Sequence, residues 1–208
     1  MAVNEHCDGG TACRLSGQLV KGLEKLGSRW RQLGSAYRKQ FYRDMIEQEI
    51  HLVSPSPRSS ILHVGCGPLP MTALKLVRRG FEVTAVDSDP EAVEKAEQFC
   101  VQHKISSLVN VQLQNGSSLR TEEFDAIWVS LHVNPKEKVL SNLLSGMKAG
   151  ARLVYRNPRG HLALFYPRID PSKLAPQQLY ESVETSLGKE LVLIEKESES
   201  NKGEWTDE

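Results

Sequence analysis

The sequence is 208 residues long, enough to bury the core of one ordinary domain. Its 26 basic and 26 acidic side chains cancel, so the chain lacks the basic excess of a dedicated nucleic-acid binder, and no nucleic-acid partner is expected. No apolar run approaches the roughly 20 residues of a membrane span, and the first residues lack the pattern of a secretory signal, which points to a cytoplasmic protein with no membrane partner.

The leader to about Ala12 reads as disordered. It carries His6 and Cys7, with Cys13 just beyond; together with Cys66 and Cys100 these cysteines fit neither a zinc clip nor a disulfide framework, so no metal is expected. From Leu15 to Leu52 the pattern is helical, with Leu19, Leu23, Leu26, Trp30 and Leu33 at three- and four-residue intervals and breaks at Gly27-Ser28 and Gly34-Ser35. Ser54-Pro55-Ser56-Pro57 is a linker. Residues 1–57 therefore read as a leader and helical segment covering a pocket, and 58–208 as the main domain.

In that domain Ser60 to Val64 is a buried-type strand, followed by Gly65-Cys66-Gly67-Pro68-Leu69-Pro70 and a helix to about Arg79. Phe81 to Val86 is a second strand. Asp89 caps a helix with Pro90 in its first position that runs to about Val101. Val109 to Leu113 and Asp125 to Leu131 are the third and fourth strands, Lys136 to Met147 is helical, and Ala151 to Tyr155 is the fifth strand. Pro176 to Leu187 reads as a helix and Glu190 to Glu195 as a sixth strand, with little room left for a seventh. Strands alternating with helices imply right-handed βαβ units and a Rossmann-like, doubly wound, mainly parallel α/β sheet.

Ligands on such sheets bind beyond the carboxyl ends of the strands, so the informative loops follow the first four. Gly65 permits a tight strand-to-helix turn and Gly67 a close backbone approach, with Cys66, Pro68 and Leu69 completing the turn. Pro70 stands where the dinucleotide fingerprint has its third glycine, which disfavours NAD and suits a smaller adenosyl ligand. Asp87, about twenty residues after Gly67, closes the second strand, where a carboxylate accepts hydrogen bonds from both ribose hydroxyls. The bland alternative, a helix cap, is a role Asp89 already fills; Ser88 lies between them. Asn115 with Gly116, in the loop after the third strand, is placed to meet an adenine amino group or is an ordinary polar turn. Ser130, Leu131 and His132 end the fourth strand, where many such folds place the groups facing the reacting centre.

Together these features resemble a class I S-adenosylmethionine-dependent enzyme. Gly65-Cys66-Gly67-Pro68-Leu69-Pro70-Met71-Thr72, Asp87-Ser88-Asp89-Pro90, Glu137-Lys138-Val139, Arg156-Asn157-Pro158-Arg159-Gly160 and Phe165 to Pro171 are similar to motifs of the nicotianamine synthase family. Tyr37, Phe41 and Tyr42 resemble the tyrosine-rich helix before that family's first strand, so the likeness runs from about Tyr37 to Leu174. It implies S-adenosylmethionine as substrate, used through its 3-amino-3-carboxypropyl arm with release of methylthioadenosine. Tyr42 is the candidate partner or relay for the nucleophilic amine, with Ser130 or Asn157 helping to hold it; a core aromatic is the alternative for Tyr42. Arg156 or Asn157 engages the substrate carboxylate, Arg156 in two-point fashion. Tyr166 packs under the same pocket.

Class I methyltransferases usually carry an acidic residue two places before the first glycine, which holds the substrate's ammonium. Here that position is His63, and without the acid the amine is freer to act as a nucleophile; a satisfied strand histidine is the equal alternative. Family members place a longer helical domain before the sheet, whereas fewer than sixty residues precede it here. That favours cyclisation of the arm to azetidine-2-carboxylate, or transfer to a small amine. A small-molecule methyltransferase and a non-catalytic binding module are the alternatives, and a homodimer is left open.

Overall fold

A computed structural model describes residues 43–176, 178–185 and 188–197. The chain falls into two compact units, 1–43 and 44–208. The described residues open with α1 (residues 43–53), whose Met45, Ile46, Glu49 and Val53 form one buried stripe at helical spacing.

Seven strands then build one sheet in the order β3-β2-β1-β4-β5-β7-β6. β1 (Ser60–Val64), β2 (Glu82–Asp87), β3 (Val109–Leu113), β4 (Ala126–Val129) and β5 (Arg152–Pro158) run parallel, as the alternating pattern requires. Helices α2 (Met71–Arg78), α3 (Pro90–Gln102) and α4 (Lys136–Gly146) fill three of the crossovers. The connection from β3 to β4 holds only a 3-10 turn at Gly116–Ser118. This is the doubly wound, Rossmann-like sheet of the class I methyltransferase fold. The start of α3 is set locally: Asp89 Oδ1 accepts from Glu91 N–H at 2.9 Å, and Pro90 occupies the first turn.

Leu62, Val64, Ile127, Val129, Leu153 and Tyr155 pack with Val139, Leu140 and Leu143 of α4 in one buried cluster. Each large apolar side chain removed from water there contributes about 1.5–3 kcal/mol. The cluster sits on one face of β1, β4 and β5, and it fixes the carboxyl ends of those strands relative to one another.

The last part of the chain departs from the helix expected over Pro176 to Leu187. A single turn, α5 (Pro171–Leu174), is followed by β6 (Tyr180–Glu184) and β7 (Lys189–Glu195), and β7 runs antiparallel to both β5 and β6. Leu179, Val183 and Leu187 have helical spacing, but Leu191 to Ile194 are buried and their strand presents backbone groups that need a partner on both sides. Gly188, at φ 64°, supplies the turn between the two strands. The sheet therefore does have a seventh strand. β5 also extends past Tyr155 and carries Arg156 and Asn157 inside the sheet.

Candidate active site

At the carboxyl end of β1 the N–H groups of Gly65 and Cys66 donate to Val86 O at 2.9 and 3.1 Å. Gly65 has φ 74°, and a Cβ there would lie 2.5 Å from Val133 Cγ2, so the turn packs directly on the segment after β4. Gly67 has φ 64° and nothing within 4 Å of a Cβ position: its backbone faces open space. Asp87 Oδ2 accepts from Gly67 N–H at 2.8 Å and Oδ1 from Asp89 N–H at 3.1 Å. The carboxylate thus couples β2 to the glycine turn, and both oxygens keep lone pairs for a ligand. Pro68, Leu69 and Ser88 are exposed beside it.

Asn115 is exposed, and its Oδ1 caps the 3-10 turn by accepting from Ser117 N–H at 2.9 Å. Gly116 is buried, with Val139 Cγ1 2.8 Å and Val64 Cγ1 3.1 Å from a Cβ position. An adenosyl group needs backbone it can approach, a carboxylate for the ribose diol and apolar walls. Gly67, Asp87 and the exposed side chains of Leu69 and Leu113 meet those needs at one rim of the sheet. The Cys66 thiol is pushed up to about 12 by burial and then by the charge of Asp87, so it is no nucleophile.

Beneath the turn, His63 is 2% exposed and its Nε2 lies 3.1 Å from Ser130 Oγ. Its Nδ1 has no hydrogen-bond partner. Burial, and then the Arg156 charge, pull the imidazole down to about 3, so it is neutral. Ser130 is held at the end of β4 by its N–H donating to Val64 O at 3.1 Å. Tyr166 meets His132 edge to face, with ring centroids 4.9 Å apart, which brings the Tyr166 segment against the same strand end.

Two side chains expected to meet the ligand are engaged within the protein. Arg156, expected on a substrate carboxylate, is buried and pairs with Glu49 of α1: Nε to Oε1 at 2.5 Å and Nη2 to Oε2 at 2.8 Å. Nη2 also donates to Thr72 Oγ1 at 3.1 Å. The protein's own carboxylate takes the two-point place. Asn157 is fully buried, with Nδ2 donating to Ile169 O at 2.8 Å and Oδ1 accepting from Ile169 N–H at 3.1 Å. Its amide clamps the backbone at Ile169, and Nδ2 also lies 3.4 Å from Glu190 Oε2. Tyr42, with Tyr37 and Phe41, lies outside the described residues, as do His6, Cys7 and Cys13.

Sequence reasoning missed Glu49 and Lys136. The first had a signal, a carboxylate on an otherwise apolar helical stripe; the second had none, since a lysine opening a helix is ordinarily solvated. Among the described residues no group of three or more His, Cys, Asp or Glu is placed to hold a metal, and no helix is long and apolar enough to cross a membrane.

The family model described as "Nicotianamine synthase protein" matches residues 36–188. The L-histidine 2-aminobutanoyltransferase of Yersinia pestis is 30% identical over 125 residues, 60% of this chain and 47% of that protein. Its namesake from Pseudomonas aeruginosa is 28% identical over 175 residues, 80% of this chain and 62% of that protein. The chain thus spans about half to three fifths of the length of these curated relatives. A crystal structure of an MtNAS mutant in complex with S-adenosylmethionine superposes with a TM-score of 0.70 at 24% identity, covering 82% of this chain and 67% of that one.

Proposed function

The chain belongs to the nicotianamine synthase family, and on that premise we propose that it uses the 3-amino-3-carboxypropyl arm of S-adenosylmethionine and releases methylthioadenosine, closing the arm to azetidine-2-carboxylate. The observation that carries this reading is the neutral, buried His63 beneath the glycine turn, at the position where class I methyltransferases usually hold an acid. The buried carboxylate nearby, Glu49, is taken up by Arg156. Neither group then favours a protonated, non-nucleophilic amine on the substrate.

The bound sulfonium supplies an electrophilic γ-carbon and a good leaving group. The protein's part is to choose which nucleophile meets that carbon in line. In this reading Asp87 and the Gly67 backbone fix the nucleoside, and Ser130 Oγ, oriented by His63, holds the amine. Asn157 fixes β5 through Ile169, and Tyr166 walls the pocket beside His132. Positioning of this kind accounts for about 7–11 kcal/mol of barrier reduction. The partner is a small molecule in the cytoplasm, with no nucleic acid, membrane or metal required.

One observation favours a second version, transfer of the arm to a small amine that bears its own carboxylate. Lys189, whose amine is lowered to about 8 by burial and then by the Arg156 charge, stands with Arg156 near Glu49 where the end of β5 meets the start of β7, so the cationic groups cluster there. Such a cluster suits an extra carboxylate, and the similar bacterial proteins are named as histidine aminobutanoyltransferases. Incubation with S-adenosylmethionine alone separates the readings. Methylthioadenosine with azetidine-2-carboxylate supports cyclisation, and methylthioadenosine appearing only with an added amine supports transfer. S-adenosylhomocysteine as the main product identifies a methyltransferase and overturns both.

A further inference from the structure

The β4–β5 ladder ends at the pair Val129 and Tyr155, and beyond it the two strands part. The gap is bridged by a side chain. Lys136, the first residue of α4, is 3% exposed, and its Nζ donates to Leu131 O at 3.1 Å and to Arg156 O at 2.6 Å. The first carbonyl belongs to the turn that carries Ser130 and His132, the second to the strand that carries the Glu49 partner. One amine therefore ties together the two sides of the candidate site.

The charge around that amine is one-sided. Arg156 faces it from β5 and Lys189 from β7, Glu49 of α1 is bound to Arg156, and His132 on the turn after β4 is held toward its neutral form by burial and then by these cations. A neutral amine has two N–H groups, matching the two carbonyls it meets; an ammonium has three. We infer that Lys136 is a positioning residue that works as a neutral amine, locking the Ser130–His132 turn to β5 without adding a positive charge beneath the bound sulfonium. Protonation would leave the tie in place but set a buried cation against a cationic ligand. Burial, followed by the charges of Arg156 and Lys189, lowers the amine to about 7, which makes the neutral form accessible near neutrality.

The inference rests on the proposed use of S-adenosylmethionine, so its test reads binding and not turnover. S-adenosylhomocysteine shares every group of the ligand except the methyl that makes the sulfur positive. Calorimetry on the full chain between about pH 6 and 8.5 compares the two ligands, and the affinity of S-adenosylmethionine relative to S-adenosylhomocysteine should rise about tenfold across that range. Lys136→Met should flatten the rise, Lys136→Arg should hold the ratio low at every pH, and His132→Asn should leave the rise intact. A flat ratio in the wild type overturns the inference, as does a rise that survives in Lys136→Met. Should the Met variant fail to fold, the wild type with His132→Asn and Lys189→Met still decides, because a rise lost in either variant assigns it to that side chain and overturns the inference. Failure to bind either ligand would instead remove the S-adenosylmethionine reading itself.

Discussion

Glu49 and Arg156, 107 positions apart along the chain, meet through two parallel contacts of 2.5 and 2.8 Å that join α1 to the carboxyl-terminal half of β5. Thr72 of α2 adds a third group to the same guanidinium. A buried pair of this kind is stabilising only while both members are present, because either charge alone is left without water.

Glu49→Gln should therefore destabilise the fold by about 3–5 kcal/mol, read from urea unfolding. Glu49→Leu combined with Arg156→Met should recover most of that loss. A single variant as stable as the wild type would show that the guanidinium finds another carboxylate.

The two glycines of the first turn should respond differently. Gly65→Ala forces a Cβ to within 2.5 Å of Val133 Cγ2 as well as straining the backbone, and should lower stability by about 1–3 kcal/mol. Gly67→Ala meets no neighbour, so its cost is the left-handed backbone alone, about 1–2 kcal/mol, while the new methyl stands where a ligand must approach. Thermal melts paired with S-adenosylmethionine titrations separate the effects: Gly67→Ala should lose more binding than its stability loss explains.

Asp87→Ala should weaken S-adenosylmethionine binding by about 1.5–3 kcal/mol, the scale of a charged hydrogen bond. Calorimetry giving equal affinities for variant and wild type would place the ribose elsewhere.

His63 gives a pH signature. The imidazole titrates at about 3 in the fold against 6.5 in a free chain, so between those values the unfolded state binds the extra proton. Stability must then rise with pH across this window, and it is lost on acidification below about 6.5 with a limiting slope of about 1.4 kcal/mol per pH unit. Chemical unfolding at pH 7, 6 and 5 should show the slope in the wild type and a shallower one in His63→Gln. Parallel curves would mean that the imidazole is charged in the fold.

Where structure is decided by near neighbours, the sequence was readable. Val109–Leu113 coincides with its expected strand, and Asp89 with Pro90 marks the start of α3, because a cap and a short apolar–polar alternation act within a few residues. β6 was not readable, since Tyr180–Glu184 is a strand only because β7 offers it an edge. The same limit applies to the site. Asp87 could be placed from its position at the end of β2, but the destination of the Arg156 side chain depends on Glu49 in a distant helix. Nothing adjacent to Arg156 announces that its fork is already filled. The partners of Asn157 were hidden for a related reason: the backbone of Ile169 that its amide holds arrives only after the chain has left β5 and turned back.

β7 lies between β5 and β6 although it follows both in the chain. On the ribosome, β1 to β4 can therefore pair as they emerge, but β5 keeps one bare side until Glu195 has been made. β6 cannot fill the gap, because its pairing is with β7. The β6–β7 hairpin is local and can close first, docking afterwards as a unit. Until it does, the buried residues of β5 stand at a raw sheet edge open to other nascent chains, so the synthesis of β7 governs the interval in which this edge is exposed to misassociation.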